Sequence, residues 1–228
     1  MIRQTLAPLH PDGWKFVAAS GLATVILFFL WWPGGWLGLI LTLWIVYFFR
    51  DPWRVTPRRA GLIISPADGI IVALGPAPPP PELEMGSQPV TRIGIFLNLF
   101  DVHVARAPIA GRIAATRYTK GRFINASLDK ASEHNERLAI RIVPDAAPDI
   151  AFVLIAGLVA RRIVSSIDAG QLVAAGQRVG LIRFGSRVDI YCPPPYVPLV
   201  ALSQRMIAGE TVLADREAHE PPRTGFAH

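Results

Sequence analysis

The sequence predicts a mainly β protein (α+β): a barrel-sandwich-like β body with one short helix, preceded by an N-terminal hydrophobic helical hairpin. Three observations carry that prediction. Residues 16–49 contain no charged side chain, although 18% of the 228 residues are charged. From Gly61 onward, short apolar or alternating runs recur between Gly and Pro turns, a pattern of strands rather than helices. The stretches AGQLVAAGQRVGLIRFGS (169–186) and IAGETVLA (207–214) place apolar pairs between glycine-containing turns, the texture of small barrel-sandwich domains such as lipoyl and biotinyl carriers.

The hairpin comes first. FVAASGLATVILFFLWW (16–32) has 17 residues, about 26 Å as a helix, and WLGLILTLWIVYFF (36–49) has 14, about 21 Å. Against a hydrocarbon core of about 30 Å, the first just spans and the second is marginal. Pro33-Gly34-Gly35 reads as a tight turn between them, with Trp31, Trp32 and Trp36 where an interfacial belt would lie. Lys15 precedes the pair and Arg50, Arg54, Arg58 and Arg59 follow it, so both ends belong on the cytoplasmic face of the cell membrane. A hairpin buried in a soluble core is the alternative. A cleaved signal peptide leaves the second apolar half without a purpose. The expected division is a membrane hairpin with its basic flank at 1–59 and a β-rich catalytic domain at 60–228.

The net charge of +6 comes almost wholly from arginine. Beside a hydrophobic anchor it points to an anionic membrane surface, and no zinc-finger spacing or basic helix points to nucleic acid. The single cysteine, Cys192, excludes a disulfide framework within the chain and reads as a packed small side chain. No histidine spacing suggests a metal, and there is neither a P-loop nor a dinucleotide-binding glycine pattern.

In the body, GLIISPADGIIVAL (61–74) reads as a hairpin around SPADG, and GPAPPPPELEMGSQP (75–89) as a proline-rich loop. VTRIGIFLNLF (90–100) reads as a buried strand, with further strands at 111–118, 138–143, 150–160, 163–167, 179–184 and 188–191. Residues 125–135 form the expected helix.

Gly185-Ser186, between two of these strands, carries a chemical prospect. A serine hydroxyl can attack the preceding carbonyl where the backbone is sharply bent, and a preceding glycine permits that bend. β-Elimination of the resulting ester gives dehydroalanine, and hydrolysis then yields ammonia and an N-terminal pyruvoyl group. That ketone forms a Schiff base with an amine and acts as an electron sink. Alone, the dipeptide is as well read as a strand bulge.

Its context resembles the phosphatidylserine decarboxylase family, in size its short bacterial and archaeal-type members. The resemblance rests on RFGSRVDIYCP (183–193), SPADG (65–69), FLNLFDVHVARAPIAG (96–111), KGRFINASLDKASEHNER (120–137) and the hydrophobic pair ending in FFRDPWR (48–54). It implies self-cleavage at Gly185-Ser186 into a β chain, 1–185, and an α chain, 186–228, held as a heterodimer. Ser186 would become the pyruvoyl cofactor. The substrate it implies is phosphatidylserine in the membrane, decarboxylated to phosphatidylethanolamine.

The resemblance assigns Asp68 to supporting the base of self-cleavage, although Asp-Gly is also an ordinary turn pair. His103 matches the first histidine of the longer members' Asp-Tyr-His-Arg-x-His pattern, and it is expected to be the acid/base of decarboxylation. The second histidine position holds Arg106, so an Asp–His–Ser triad does not transfer intact. Arg106 suits a carboxylate or phosphate instead. Asn135-Glu136-Arg137 matches the family's Asn-Glu-Arg signature; solvated charges at a helix end are the plain alternative. Lys130, in DKA, imitates a lipoylated lysine but lacks its flanking strands. A membrane-tethered, lipoyl-like binding module without self-cleavage is the rival function. A pyruvoyl enzyme acting on a soluble amino acid is a third, and the apolar hairpin opposes it.

Overall fold

The computed structural model describes residues 7–121, 134–157, 162–183, 185–221 and 223–225. The chain divides into two compact units, Met1–Trp53 and Arg54–His228. The expected helix at 125–135 lies largely outside the described residues, as does Lys130.

The first unit is a pair of helices, α1 (Trp14–Leu30) and α2 (Trp32–Phe48). The break between them is shorter than Pro33-Gly34-Gly35 suggests. Only Trp31 leaves the helical region (φ −158°, ψ 94°), and Pro33 sits in the first turn of α2. Proline is tolerated there because its missing N–H has no intrahelical partner to lose. The glycines permit close approach instead. A Cβ at Gly35 would run into the Phe28 ring, and one at Gly38 would lie 2.8 Å from Thr24 Oγ1. Thr24 and Thr42 hydroxyls meet across the interface at 3.1 Å. Small residues and a hydroxyl pair at the contact are the packing of helices in lipid, where apolar burial supplies no driving force. The outward faces are apolar and exposed, including Leu22, Phe29, Trp36, Leu37 and Ile40. One helix, Pro11–Leu30, is long and apolar enough to cross a membrane.

The second unit is mainly β. Its strands are β1 (Leu62–Ile64), β2 (Gly69–Ala77), β3 (Val90–Leu97), β4 (Val104–Arg106), β5 (Gly111–Thr119), β6 (Arg137–Val143) and β7 (Ile150–Ala156). The remainder are β8 (Ile163–Ser165), β9 (Leu172–Val173), β10 (Arg178–Ile182), β11 (Ser186–Cys192), β12 (Val197–Pro198), β13 (Arg205–Met206) and β14 (Val212–Asp215). Eight form one sheet in the order β13-β2-β3-β11-β7-β6-β5-β9; two three-stranded sheets are β4-β10-β8 and β1-β14-β12. SPADG does not close a hairpin. β1 pairs with β14 and β2 with β3, so the motif carries the chain from one sheet to another.

β11 lies at the centre of the large sheet and is buried on both faces. Val188, Ile190 and Cys192 join the main core with Ile93, Ile95, Phe152 and Leu154. On the other face, Arg187 and Asp189 form a fully buried ion pair at 2.6 Å. Gly94, directly opposite Asp189, makes room for it: a Cβ there would stand 2.6 Å from Arg187 Nη2. Burial pushes the Cys192 thiol up to about 12, so it stays a neutral packing group.

Candidate active site

The chain changes sheets at Gly185. β10 ends at Ile182 in a three-stranded sheet and β11 begins at Ser186 in the large one. The bend between them places Gly185 at φ +72°, the left-handed region. A Cβ there would meet only Leu99 Cδ2, at 3.7 Å, so the demand for glycine is conformational rather than steric.

Both polar groups of Gly185 are held. Its carbonyl oxygen accepts from the Gly157 N–H at 3.1 Å. Its N–H donates to His103 Nε2 at 3.1 Å. His103 sits immediately before β4, the neighbour of β10, and its own carbonyl accepts from the Ile182 N–H at 3.2 Å. Strand pairing therefore sets the imidazole beside the bend. His103 Nδ1 lies 3.0 Å from the Asp101 carbonyl oxygen. With Nε2 accepting from Gly185, the consistent tautomer is neutral, with the proton on Nδ1 donated to Asp101.

Ser186 is fully buried, and its hydroxyl has no hydrogen-bond partner among the described residues. Leaving a hydroxyl so costs about 1–3 kcal/mol, and such an orphan calls for an explanation. The serine faces the main core, between Leu97 on β3 and Ala156 on β7.

Asp68 precedes β2, two strands from Ser186 in the same sheet. Arg54 Nη2 reaches both of its oxygens, at 3.0 and 2.8 Å, and the Ala208 N–H donates to one of them at 2.7 Å. Neither His103 nor Ser186 is among its hydrogen-bond partners. Burial raises the Asp68 carboxyl above the ordinary aspartate value; Asp101 pushes the same way, while Arg54 and the Ala208 N–H oppose. The structure thus brings Ser186, Gly185 and His103 together and leaves Asp68 in a separate, arginine-bound position.

Arg106 is buried, and its Nη1 donates to the Gly176 carbonyl at 2.9 Å. The arginines after the hairpin differ from a plain basic flank. Arg54 holds Asp68, Arg59 pairs with Asp215 and Glu217, and Arg58 is exposed. Arg54, Arg58, Arg59 and Arg106 line a groove of about 1130 Å³.

Asn135-Glu136-Arg137 is not a solvated helix end. Asn135 and Glu136 are buried where the chain enters β6, and the Asn135 amide donates to the Ala156 carbonyl at 2.7 Å. Arg137 pairs with Glu82 at 2.7 Å rather than with Glu136. Three further participants were not singled out from the sequence. Asp101 sits one residue before His103's neighbour; its carboxylate is buried, accepts from the Asn98 N–H at 2.9 Å and pairs with Arg205. In the sequence Arg54 belongs to a basic flank that sets topology or holds a head-group phosphate, and nothing there pairs it with Asp68. The Gly157 N–H has no sequence signature, because only strand pairing brings it to Gly185.

Residues 41–214 match the family model described as phosphatidylserine decarboxylase. A protein of Cereibacter sphaeroides named phosphatidylserine decarboxylase proenzyme is 51% identical over 227 residues, covering 100% of this chain and 98% of that relative. Proteins of the same name from Paramagnetospirillum magneticum and Ruegeria pomeroyi are 53% and 57% identical, covering 96% and 92% of this chain.

Proposed function

The chain belongs to the phosphatidylserine decarboxylase family, and we propose from that premise that it is a self-maturing enzyme acting on phosphatidylserine at the membrane. It is a decarboxylase. The finer reading is a proenzyme that breaks at Gly185-Ser186 into chains 1–185 and 186–228 and carries a pyruvoyl group at position 186.

One observation carries this reading: a buried serine hydroxyl without a partner among the described residues follows a left-handed glycine whose carbonyl oxygen is already held by an N–H. Ser186 Oγ attacks the Gly185 carbonyl carbon, and the Gly157 N–H stabilises the oxyanion that develops there. Transfer of the acyl group from nitrogen to oxygen leaves an ester. Loss of the Ser186 α-proton expels residue 185 as a free carboxylate, and hydrolysis of the dehydroalanine releases ammonia. Asp68 acts as the base for Ser186 through intervening water, and its raised pKa makes it a better proton acceptor than an ordinary aspartate.

The residues present fit a pyruvoyl group, since position 186 opens a central strand and is fixed by pairing on both sides. When formed, that group supplies a ketone that condenses with the substrate amine and withdraws electrons as carbon dioxide leaves. His103, whose Nε2 accepts from the Gly185 N–H one peptide before the bond that breaks, carries the proton returned to the substrate α-carbon. The apolar hairpin anchors the chain on the cytoplasmic face and gives it access to a lipid headgroup.

Intact mass under denaturing conditions tests the reading. Two pieces dividing after Gly185, the smaller lighter by one ammonia than a serine-started peptide, support it. A folded wild-type chain that stays whole removes it. The Ser186→Ala chain is expected to remain whole.

A further inference from the structure

The large sheet places a carboxylate other than Asp68 on the row of Ser186. Ser186 pairs with Ala156, and the Ala156 N–H donates to the Glu136 carbonyl at 2.9 Å. Arg137 pairs with Ile155, so Glu136 stands opposite Ala156 and two strands from Ser186. Two strand spacings separate their backbones by about 10 Å. Side chains directly opposite in a sheet share a face, and residues two apart along a strand do too. Leu138, two after Glu136, lies in the same core as Ala156 and Leu97, so Glu136 faces the side that Ser186 faces. The only side chain between them in that row is the methyl group of Ala156.

Glu136 is 8% exposed, and its Oε1 is buried with no hydrogen-bond partner among the described residues. The Tyr118 hydroxyl, on the same face, is pushed up to about 12 by burial and by the Glu136 carboxylate near it. No arginine pairs with it among the described residues: Arg137 turns to Glu82. A buried carboxylate with an oxygen that no described donor reaches is a receptor for a cation.

We propose that Glu136 receives the ammonium group of the incoming substrate and takes one of its protons, freeing the nitrogen to attack the carbonyl carbon at position 186. This rests on the pyruvoyl reading above. Glu136 accepts one proton from R–NH₃⁺, leaving R–NH₂ and a neutral carboxyl group. The nitrogen lone pair forms the new bond to carbon, the carbonyl oxygen departs as water, and Glu136 returns its proton in that departure. No oxidant, reductant or further reactant is needed.

The test uses mature, full-length protein in detergent and reads the mass of the 186–228 piece. Phosphoethanolamine, whose amine is protonated at neutral pH, is fixed with cyanoborohydride. Methoxyamine, already neutral, serves as the probe that needs no base. Glu136→Gln is expected to mature normally and to label with methoxyamine at the wild-type rate. Its labelling with phosphoethanolamine is expected to fall roughly 100-fold, the lower range for loss of a proton-transfer group. Glu136→Asp recovers part of that loss. Equal slowing of both probes makes Glu136 a packing residue and overturns the proposal, as does unchanged labelling by both. If neither variant matures, Glu136 acts before the ketone exists, and the proposal is again overturned. If the wild-type piece labels with neither probe, the pyruvoyl reading itself falls.

Discussion

The left-handed bend at Gly185, the neutral His103 beside it and the unpartnered Ser186 hydroxyl are settled by single residues, and each has its own test. His103→Ala removes the acceptor for the Gly185 N–H, so maturation slows by about tenfold but still completes, since a lost hydrogen bond is worth on the order of 1 kcal/mol. Decarboxylation falls by at least roughly 100-fold, because the proton carrier is gone. Gel bands and released carbon dioxide separate the two effects; a chain that never cleaves would refute the division of roles. In the proposed mechanism, Asp68 sets the acid limit of maturation. Burial raises its pKa, so it is protonated at a higher pH than an exposed aspartate. The folded chain holds that proton more tightly than the unfolded chain does. Asp68's contribution to stability is therefore greatest in acid and declines as pH rises through the raised value. Acidification through this range slows cleavage by removing a carboxylate, without unfolding the domain through Asp68. Arg54 opposes the rise, so Arg54→Met should move the acid limb of the cleavage-rate profile to higher pH, while Asp68→Asn should flatten it and slow cleavage. A limb that stays put in Arg54→Met would show that another group titrates.

Elements position these residues, and the central strand does most of it. β11 holds Ser186 between β3 and β7, while its other face buries the Arg187–Asp189 pair. Replacing Asp189 by Ala leaves a guanidinium in the interior without that carboxylate. Such a break costs about 3–5 kcal/mol, to be read as a lowered denaturation midpoint in the uncleaved Ser186→Ala background. This face also marks the limit of what sequence shows. Alternation in VDIYC made the strand legible, and turn residues placed most of its neighbours. The partners were not legible: SPADG looks locally like a hairpin turn, yet Ser65–Asp68 carries the chain between sheets, because β14 and β3 compete for the two runs more effectively than the runs pair with each other. For the same reason a solvated charge stayed open as the alternative reading of Glu136. Its burial follows from standing opposite Ala156, a register that no local pattern encodes.

At the scale of the molecule, Ser186, His103 and Asp68 were open to proposal from the sequence because each sits in a short, chemically unusual motif. Arg54, Asp101 and the Gly157 N–H were not, because their roles arise only when distant strands meet. The same long-range pairing decides what happens after the chain is cut. Residues 186–228 contribute β11 to the middle of the large sheet, β13 to its edge against β2, and β14 to the sheet begun by β1. Cutting at position 185 severs none of these ladders. It frees only a bend, and it leaves Val188, Ile190 and Cys192 packed in the main core. The two pieces are therefore expected to run as one species in gel filtration in mild detergent and to part only under denaturing conditions. The α piece would retain slow amide exchange along β11 comparable to that of the uncleaved Ser186→Ala chain. Pieces that separate in mild detergent, or a β11 that exchanges freely once cut, would show that the covalent link at Gly185-Ser186 holds the strand in place, and position 186 would then have no fixed seat from which to meet a substrate.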